Sequence, residues 1–228
     1  MGKRTIGILE CGLPPVEVIE RRGTYGDQFR ALIGDDFAYH EFAVHQNEFP
    51  RDIHDCDGWL ITGSKHGVYE DHAWIPPLEV FLRRAYEAGI PLYGVCFGHQ
   101  IMAQALGGRV EKFQGGWALG RREYDTLSGE RLVVNAVHQD QVVALPPEAE
   151  PTMSNDFCRY AGLAYKGRAE SIQPHPEFDF DYVAALVEAK PWAFPADQSA
   201  QVMDDAARDV QDLSQSAVAQ RMRDFFSS

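Results

Sequence analysis

The chain is short of positive charge, of paired cysteines and of long apolar runs. Lysine and arginine total 21 against 34 aspartates and glutamates, a formal charge of −13. So acidic a surface is unsuited to nucleic acid or an anionic membrane as its main partner. The four cysteines, Cys11, Cys56, Cys96 and Cys158, show no CxxC spacing. That fits a reducing cytoplasm better than a disulfide framework. No apolar run approaches the roughly 20 residues of a membrane-spanning helix. No h-region precedes the first strand pattern, so no signal peptide is expected. Repeats and low-complexity tracts are missing too. The pairs Gly107-Gly108 and Gly115-Gly116 lack G-x-G-x-x-G spacing, which excludes a dinucleotide fingerprint. His54, Cys56, His66 and His72 fit no ligand signature, so no metal is expected.

What is present is an ordinary globular composition: 228 residues, 45% apolar and 24% charged. Strand patterns at 5–10, 37–44 and 57–62 alternate with helical patterns at 25–33 and 77–88. Residues 11–23, with Pro14 and Pro15, read as loop. From 109 to 161 the pattern is of short strands, including 132–137, and 169–173 is another. Residues 178–189 read as a helix, and 198–228 as one or two polar helices. In these Val202, Ala206, Val210 and Leu213 share one side, which reads as packing on the core, a homodimer face being the alternative. The predicted fold is α/β: a central, mostly parallel sheet flanked by helices, with a small antiparallel β excursion. One domain spans 1–228, its motif-bearing part about 5–189 and a helical C-terminal extension about 190–228.

Three stretches carry chemistry. In Gly94-Val95-Cys96-Phe97-Gly98 an apolar run ends, a nucleophile sits between two glycines, and a helical pattern follows. This predicts a strand, a strained turn and a helix, the Cys counterpart of the G-x-S-x-G elbow. The positive end of a helix dipole favours a thiolate. In Gln173-Pro174-His175-Pro176-Glu177 the prolines impose extended backbone. Side chains two apart then share a side, so Gln173, His175 and Glu177 face one way and the Glu177 carboxylate reaches the imidazole. Thr62-Gly63-Ser64 ends a strand. There the Gly63 N–H, paired with that of Phe97, predicts an oxyanion hole. Taken singly, each stretch has an ordinary structural reading: a buried Cys in a tight turn, a proline-stiffened turn, a turn glycine.

Together these motifs resemble the class I (triad) glutamine amidotransferase domain, over roughly residues 6–177. The nucleophile and His/Glu motifs carry the resemblance, with Val137-His138-Gln139-Asp140-Gln141-Val142 and Leu145-Pro146-Pro147 on the substrate side. The run from Gly63 to Asp71, with Trp74, resembles the stand-alone, GMP-synthase-like branch. The resemblance implies a flavodoxin-like fold and a Cys96–His175–Glu177 triad of nucleophile, acid/base and orienter. It implies an oxyanion hole at Gly63 and Phe97. It also implies that Gln100 and the backbone near His138 hold the amino and carboxylate ends of glutamine or a γ-glutamyl compound. The chemistry is amide hydrolysis through a γ-glutamyl thioester, without cofactor or metal. A separate synthetase subunit is the partner expected of an ammonia supplier. The alternatives are a γ-glutamyl peptide hydrolase and a catalytically silent binding protein. Pro174 stands where the family usually has Phe, and Ser64 where many members have Gly or Pro. The first difference predicts extra space beside His175 for a larger leaving group.

Overall fold

The computed structural model describes residues 2–208 and 212–228. Strand β1 (Thr5–Leu9) is followed by α1 (Val16–Arg22), α2 (Tyr25–Ile33), β2 (Ala38–Phe42) and β3 (Gly58–Ile61). Then come α3 (Ile75–Glu87), β4 (Leu92–Val95) and α4 (Phe97–Ala105). The second half holds β5 (Arg109–Lys112), β6 (Ala118–Thr126), β7 (Arg131–His138) and β8 (Asp140–Ala144). It continues through β9 (Ala149–Ser154), β10 (Gly162–Tyr165) and β11 (Ala169–Ile172). The last elements are α5 (Phe180–Ala189), α6 (Ala196–Ala207) and α7 (Gln215–Ser227).

Local chemistry sets the helix starts. Thr24 and Asp27 form a reciprocal capping box at α2, and the Asp179 carboxylate accepts from the Tyr182 N–H (2.7 Å) at α5. Helix α1 corrects the expectation of loop over 11–23. The prolines do not break it, because Pro15 stands at its N-cap, where no N–H is needed. Glu17 in its first turn and Arg21 and Arg22 in its last complement the helix dipole.

The α/β fold centres on a nine-stranded sheet in the order β2-β1-β3-β4-β11-β10-β9-β6-β7. Its first five strands are parallel, in the flavodoxin-like arrangement. The antiparallel excursion extends this sheet through β10, β9, β6 and β7, and adds a separate pair, β5–β8. Trp59, Leu78, Phe81, Leu82, Ile101 and Met102 join α3 and α4 to one face of the parallel core. Phe29, Ile33, Val218, Met222 and Phe226 cover the other face, against Ile6, Ile8, Leu60 and Tyr93.

The C-terminal segment divides between two places. Helix α6 packs on α5 and β6, burying Val202, whereas α7 lies beside α2 on the parallel sheet. Buried side chains such as Met222 and Phe226 each contribute about 1.5–3 kcal/mol relative to exposure. The single apolar side expected from Val202 to Leu213 is therefore split; Val210 lies outside the described residues, and Leu213 is half-buried before Ser214 starts α7. Among the described residues no helix is long and apolar enough to cross a membrane.

Candidate active site

The site is built at the carboxyl end of β4, where ligands of open parallel sheets bind. A Cβ on Gly94 would lie 2.5 Å from the Gly98 carbonyl oxygen, and one on Gly98 2.2 Å from that of Ile61. Only glycine permits this approach of α4 to β3 and β4. Between them Cys96 adopts φ 54°, ψ −104°. A side-chain-bearing residue is held there at a cost of about 1–3 kcal/mol, a pattern that clusters at functional sites. Cys96 is 6% exposed and caps the N-terminus of α4.

His175 is fixed from several directions. Its N–H donates to the Asn135 carbonyl (2.8 Å), and its Nδ1 lies 2.6 Å from Glu177 Oε1. That leaves Nε2 on the side of Cys96: Nε2 and Cys96 Cβ each lie 3.8 Å from where a Gly63 Cβ would sit, and the Cys96 thiol itself is directed to the Val137 carbonyl (4.0 Å). The ring stacks on Phe178 (4.2 Å, 7°), which stacks on Tyr182 (4.1 Å, 14°). The Asn135 amide donates to the Phe178 carbonyl (3.0 Å), so one residue clamps both ends of this turn. Burial alone would lower the His175 pKa; the Glu177 carboxylate and Cys96 outweigh it and raise the pKa to about 10. The Glu177 side chain is fully buried, and its Oε2 has no protein partner.

Gly63 lies against both groups: a Cβ there would sit 2.9 Å from His175 Cε1 and 3.8 Å from Cys96 Cβ. The Thr62 hydroxyl holds the Gly63 carbonyl (3.1 Å). Phe97 opens α4, where first-turn N–H groups lack helical partners. The Gln100 amide nitrogen donates to the Asp140 carbonyl (3.0 Å) and Gln173 Oε1 (3.1 Å), which commits both its N–H groups. His138 is buried, with Nδ1 3.2 Å from the Asp140 carbonyl and Nε2 unpartnered. Burial depresses its pKa to about 3, so it is a neutral imidazole. His99, beside the nucleophile motif, is likewise neutral, pushed to about 3 by burial, and is tied to Ser171 Oγ (2.8 Å) beneath the elbow.

A cavity of about 320 Å³ opens over these groups, with Cys96, Gln100, His138 and His175 in its lining. Leu13, Pro15, Trp117, Leu186 and Phe194 supply an apolar part of its wall, Trp117 and Phe194 meeting edge to face at 5.2 Å. Pro174 is not part of it. It lines a separate pocket with Tyr93, Leu132 and Val134, so the space expected beside His175 does not arise from Pro174. The reason is the alternation that placed residues 173, 175 and 177 together, since it turns 174 the other way. Phe178 supplies the aromatic contact instead. Phe178, Asn135 and Phe194 carried no motif signal; only the position of Phe178, directly after Glu177, was available as a hint. His54 and Cys56 do not join His66 and His72 in a metal-competent group among the described residues.

The four cysteines are free and buried, but their settings differ. Burial raises the thiol pKa of Cys56 to about 11, that of Cys158 to about 12, and that of Cys11 well above its ordinary value. A chloroketone analogue of glutamine is therefore expected to label Cys96 first, read by peptide mass spectrometry. Labelling elsewhere with Cys96 untouched would remove it as the nucleophile.

The family model described as glutamine amidotransferase class-I matches residues 25–181. Gamma-glutamyl peptidase 4 of Arabidopsis thaliana is 29% identical over 182 residues, covering 73% of this chain and 72% of the peptidase. The glutamine-hydrolysing GMP synthase of Aromatoleum aromaticum is 33% identical over 193 residues, 78% of this chain but 34% of the synthase. The crystal structure of a glutamine amidotransferase from Methylobacillus flagellatus superposes with a TM-score of 0.76 at 18% identity. That match covers 99% of this chain and 93% of the other, and it speaks for the fold.

Proposed function

The chain belongs to the class-I glutamine amidotransferase family, and on that premise we propose that it hydrolyses γ-glutamyl amides whose leaving amine is larger than ammonia. The Cys96 thiolate attacks the γ-carbonyl, and the oxyanion rests on the N–H groups of Gly63 and Phe97. The His175 imidazolium gives its proton to the leaving amine as the C–N bond breaks, forming a γ-glutamyl thioester. His175 then takes a proton from water, hydroxide adds to the thioester, and glutamate leaves as the C–S bond breaks. Glu177 keeps the imidazole oriented and compensates its charge. Gln100, with its amide nitrogen committed, turns its oxygen to the α-ammonium of the γ-glutamyl head. Backbone near His138 holds the α-carboxylate.

The apolar wall at Trp117, Leu186 and Phe194 carries this choice of substrate. An ammonia-releasing site has no use for it, whereas a peptide or conjugate leaving group would bury apolar surface there. The similarity to a peptidase of comparable length points the same way. The similarity to one third of a GMP synthase supports a second reading, glutamine hydrolysis for a separate synthetase subunit.

Comparing kcat/KM for γ-glutamyl-leucine and glutamine on the purified chain separates the two. The dipeptide is expected to be preferred by about 10–100-fold, the range for one or two methylene-sized apolar contacts. Trp117→Ala should erode that preference and spare glutamine. Glutamine preferred, and only with a synthetase present, would establish the second reading.

A further inference from the structure

Two histidines and a glutamate from the loop between β3 and α3 converge at the rim of the cavity. His66 Nδ1 lies 3.0 Å and His72 Nε2 2.7 Å from the same atom, Glu70 Oε2. All three ligand atoms lie within 4.8 Å of one another. Glu70 Oε1 accepts from the Gly67 N–H (3.0 Å), which fixes the direction of the carboxylate. An ionised carboxylate is acceptor-only. Both imidazoles must then donate to it. His72 stacks along the buried Trp74 (5.9 Å, 19°), which restricts its ring. The side chains of His66, Glu70 and His72 are 26%, 42% and 32% exposed, within reach of an ion from solvent.

We propose that His66, Glu70 and His72 form a binding site for a divalent transition-metal ion of the zinc type. Two imidazoles and one carboxylate suit Zn²⁺, Co²⁺ or Ni²⁺, whereas Mg²⁺ and Ca²⁺ take oxygen ligands. Zinc bonds of about 2.0–2.2 Å set tetrahedral ligand atoms roughly 3.3–3.6 Å apart, so the two His–Glu separations open by about half an ångström to accept the ion. The ion takes the two ring nitrogens that donate to Glu70 Oε2, so each neutral ring must give up its proton there to solvent and take one on its other nitrogen, a change of tautomer. The Gly67 N–H is the outer partner that holds the carboxylate, as such partners do in metal sites. Three protein ligands leave a coordination position for water or a ligand oxygen. Because His66 and Glu70 line the cavity, the ion sits beside the path to Cys96. Metal binding here does not depend on which amide Cys96 attacks.

The test is calorimetric titration of Zn²⁺ into the untagged full chain carrying Cys96→Ser, so that no thiolate competes at the triad. One ion per chain is expected. His72→Ala and Glu70→Gln, each added to that chain, should weaken binding by about tenfold or more, while His54→Ala leaves it unchanged. His66→Ala gives the same readout should His72→Ala fail to fold. With Cys96 restored, the Co²⁺ complex should show no thiolate-to-cobalt charge-transfer band. No binding, binding indifferent to these substitutions, or a thiolate band would overturn the proposal.

Discussion

Replacing Cys96 or His175 by Ala is expected to lower kcat/KM by about 10⁴-fold or more, and the double variant should fall no further. On the proposed mechanism neither residue works without the other: the thiolate would be the nucleophile, and the imidazolium the acid that lets the amine leave. Glu177→Ala should be at least tenfold less damaging than Cys96→Ala, because an orienting group acts only through the residue it serves. A loss as complete as that of Cys96→Ala would mean that Glu177 does more than orient.

Glu177→Gln isolates the charge, since it keeps the shape. In the native site His175 holds its proton to about pH 10, against an ordinary value of 6.5. Without the carboxylate that proton is lost at lower pH, so the alkaline limb of the rate profile should move towards neutrality. Stability follows the same sign. The contribution of the raised pKa is fully present below about pH 6.5 and is lost as pH rises through the folded value near 10. Denaturant melts at pH 6 and pH 10 should therefore show a gap between native and variant that narrows at the higher pH. Superimposable rate profiles would remove Glu177 as the group that holds the proton.

The elbow and the nearness of His175 to Glu177 were legible because their geometry is backbone geometry. Gly94 and Gly98 are demanded by carbonyls 2.5 and 2.2 Å from where a Cβ would sit. The alternation of an extended segment puts His175 beside Glu177 whatever surrounds them. The same rule, applied one residue further, would have turned Pro174 away from the site; comparison with the family's Phe obscured it. Helix α1 was hidden because two prolines look like a breaker when they stand before a helix start.

The meeting of Trp117 with Phe194 in the cavity wall was not legible for a different reason. Trp117 precedes β6, whereas Phe194 lies in the proline-flanked break between α5 and α6. They meet only because α6 folds back onto β6 and α5. No periodicity in either segment encodes that contact. The His66–Glu70–His72 trio is similar: the turn in which Gly67 donates to Glu70 closes it, and the spacing matches no ligand signature.

Gly63→Ala is expected to cost about 10²–10³ in kcat, the range for losing one oxyanion donor, with the fold retained. The added methyl would meet His175 Cε1 at 2.9 Å, closer than such contacts allow. The imidazole cannot retreat, because Phe178 stacks on its face and Glu177 holds Nδ1. Either the ring tilts away from Cys96 or the 63 backbone swings out and takes its N–H with it. A displacement of about 1 Å at a reacting group is enough for a 10²-fold loss. Gly98→Ala provides the contrast. There the methyl would meet a backbone oxygen at 2.2 Å, with no side chain to give way, so stability should fall by about 1–3 kcal/mol or more. Melting temperature and kcat measured on both variants should separate a catalytic glycine from an architectural one. Native kcat in Gly63→Ala would show slack at the imidazole and remove Gly63 from the oxyanion hole.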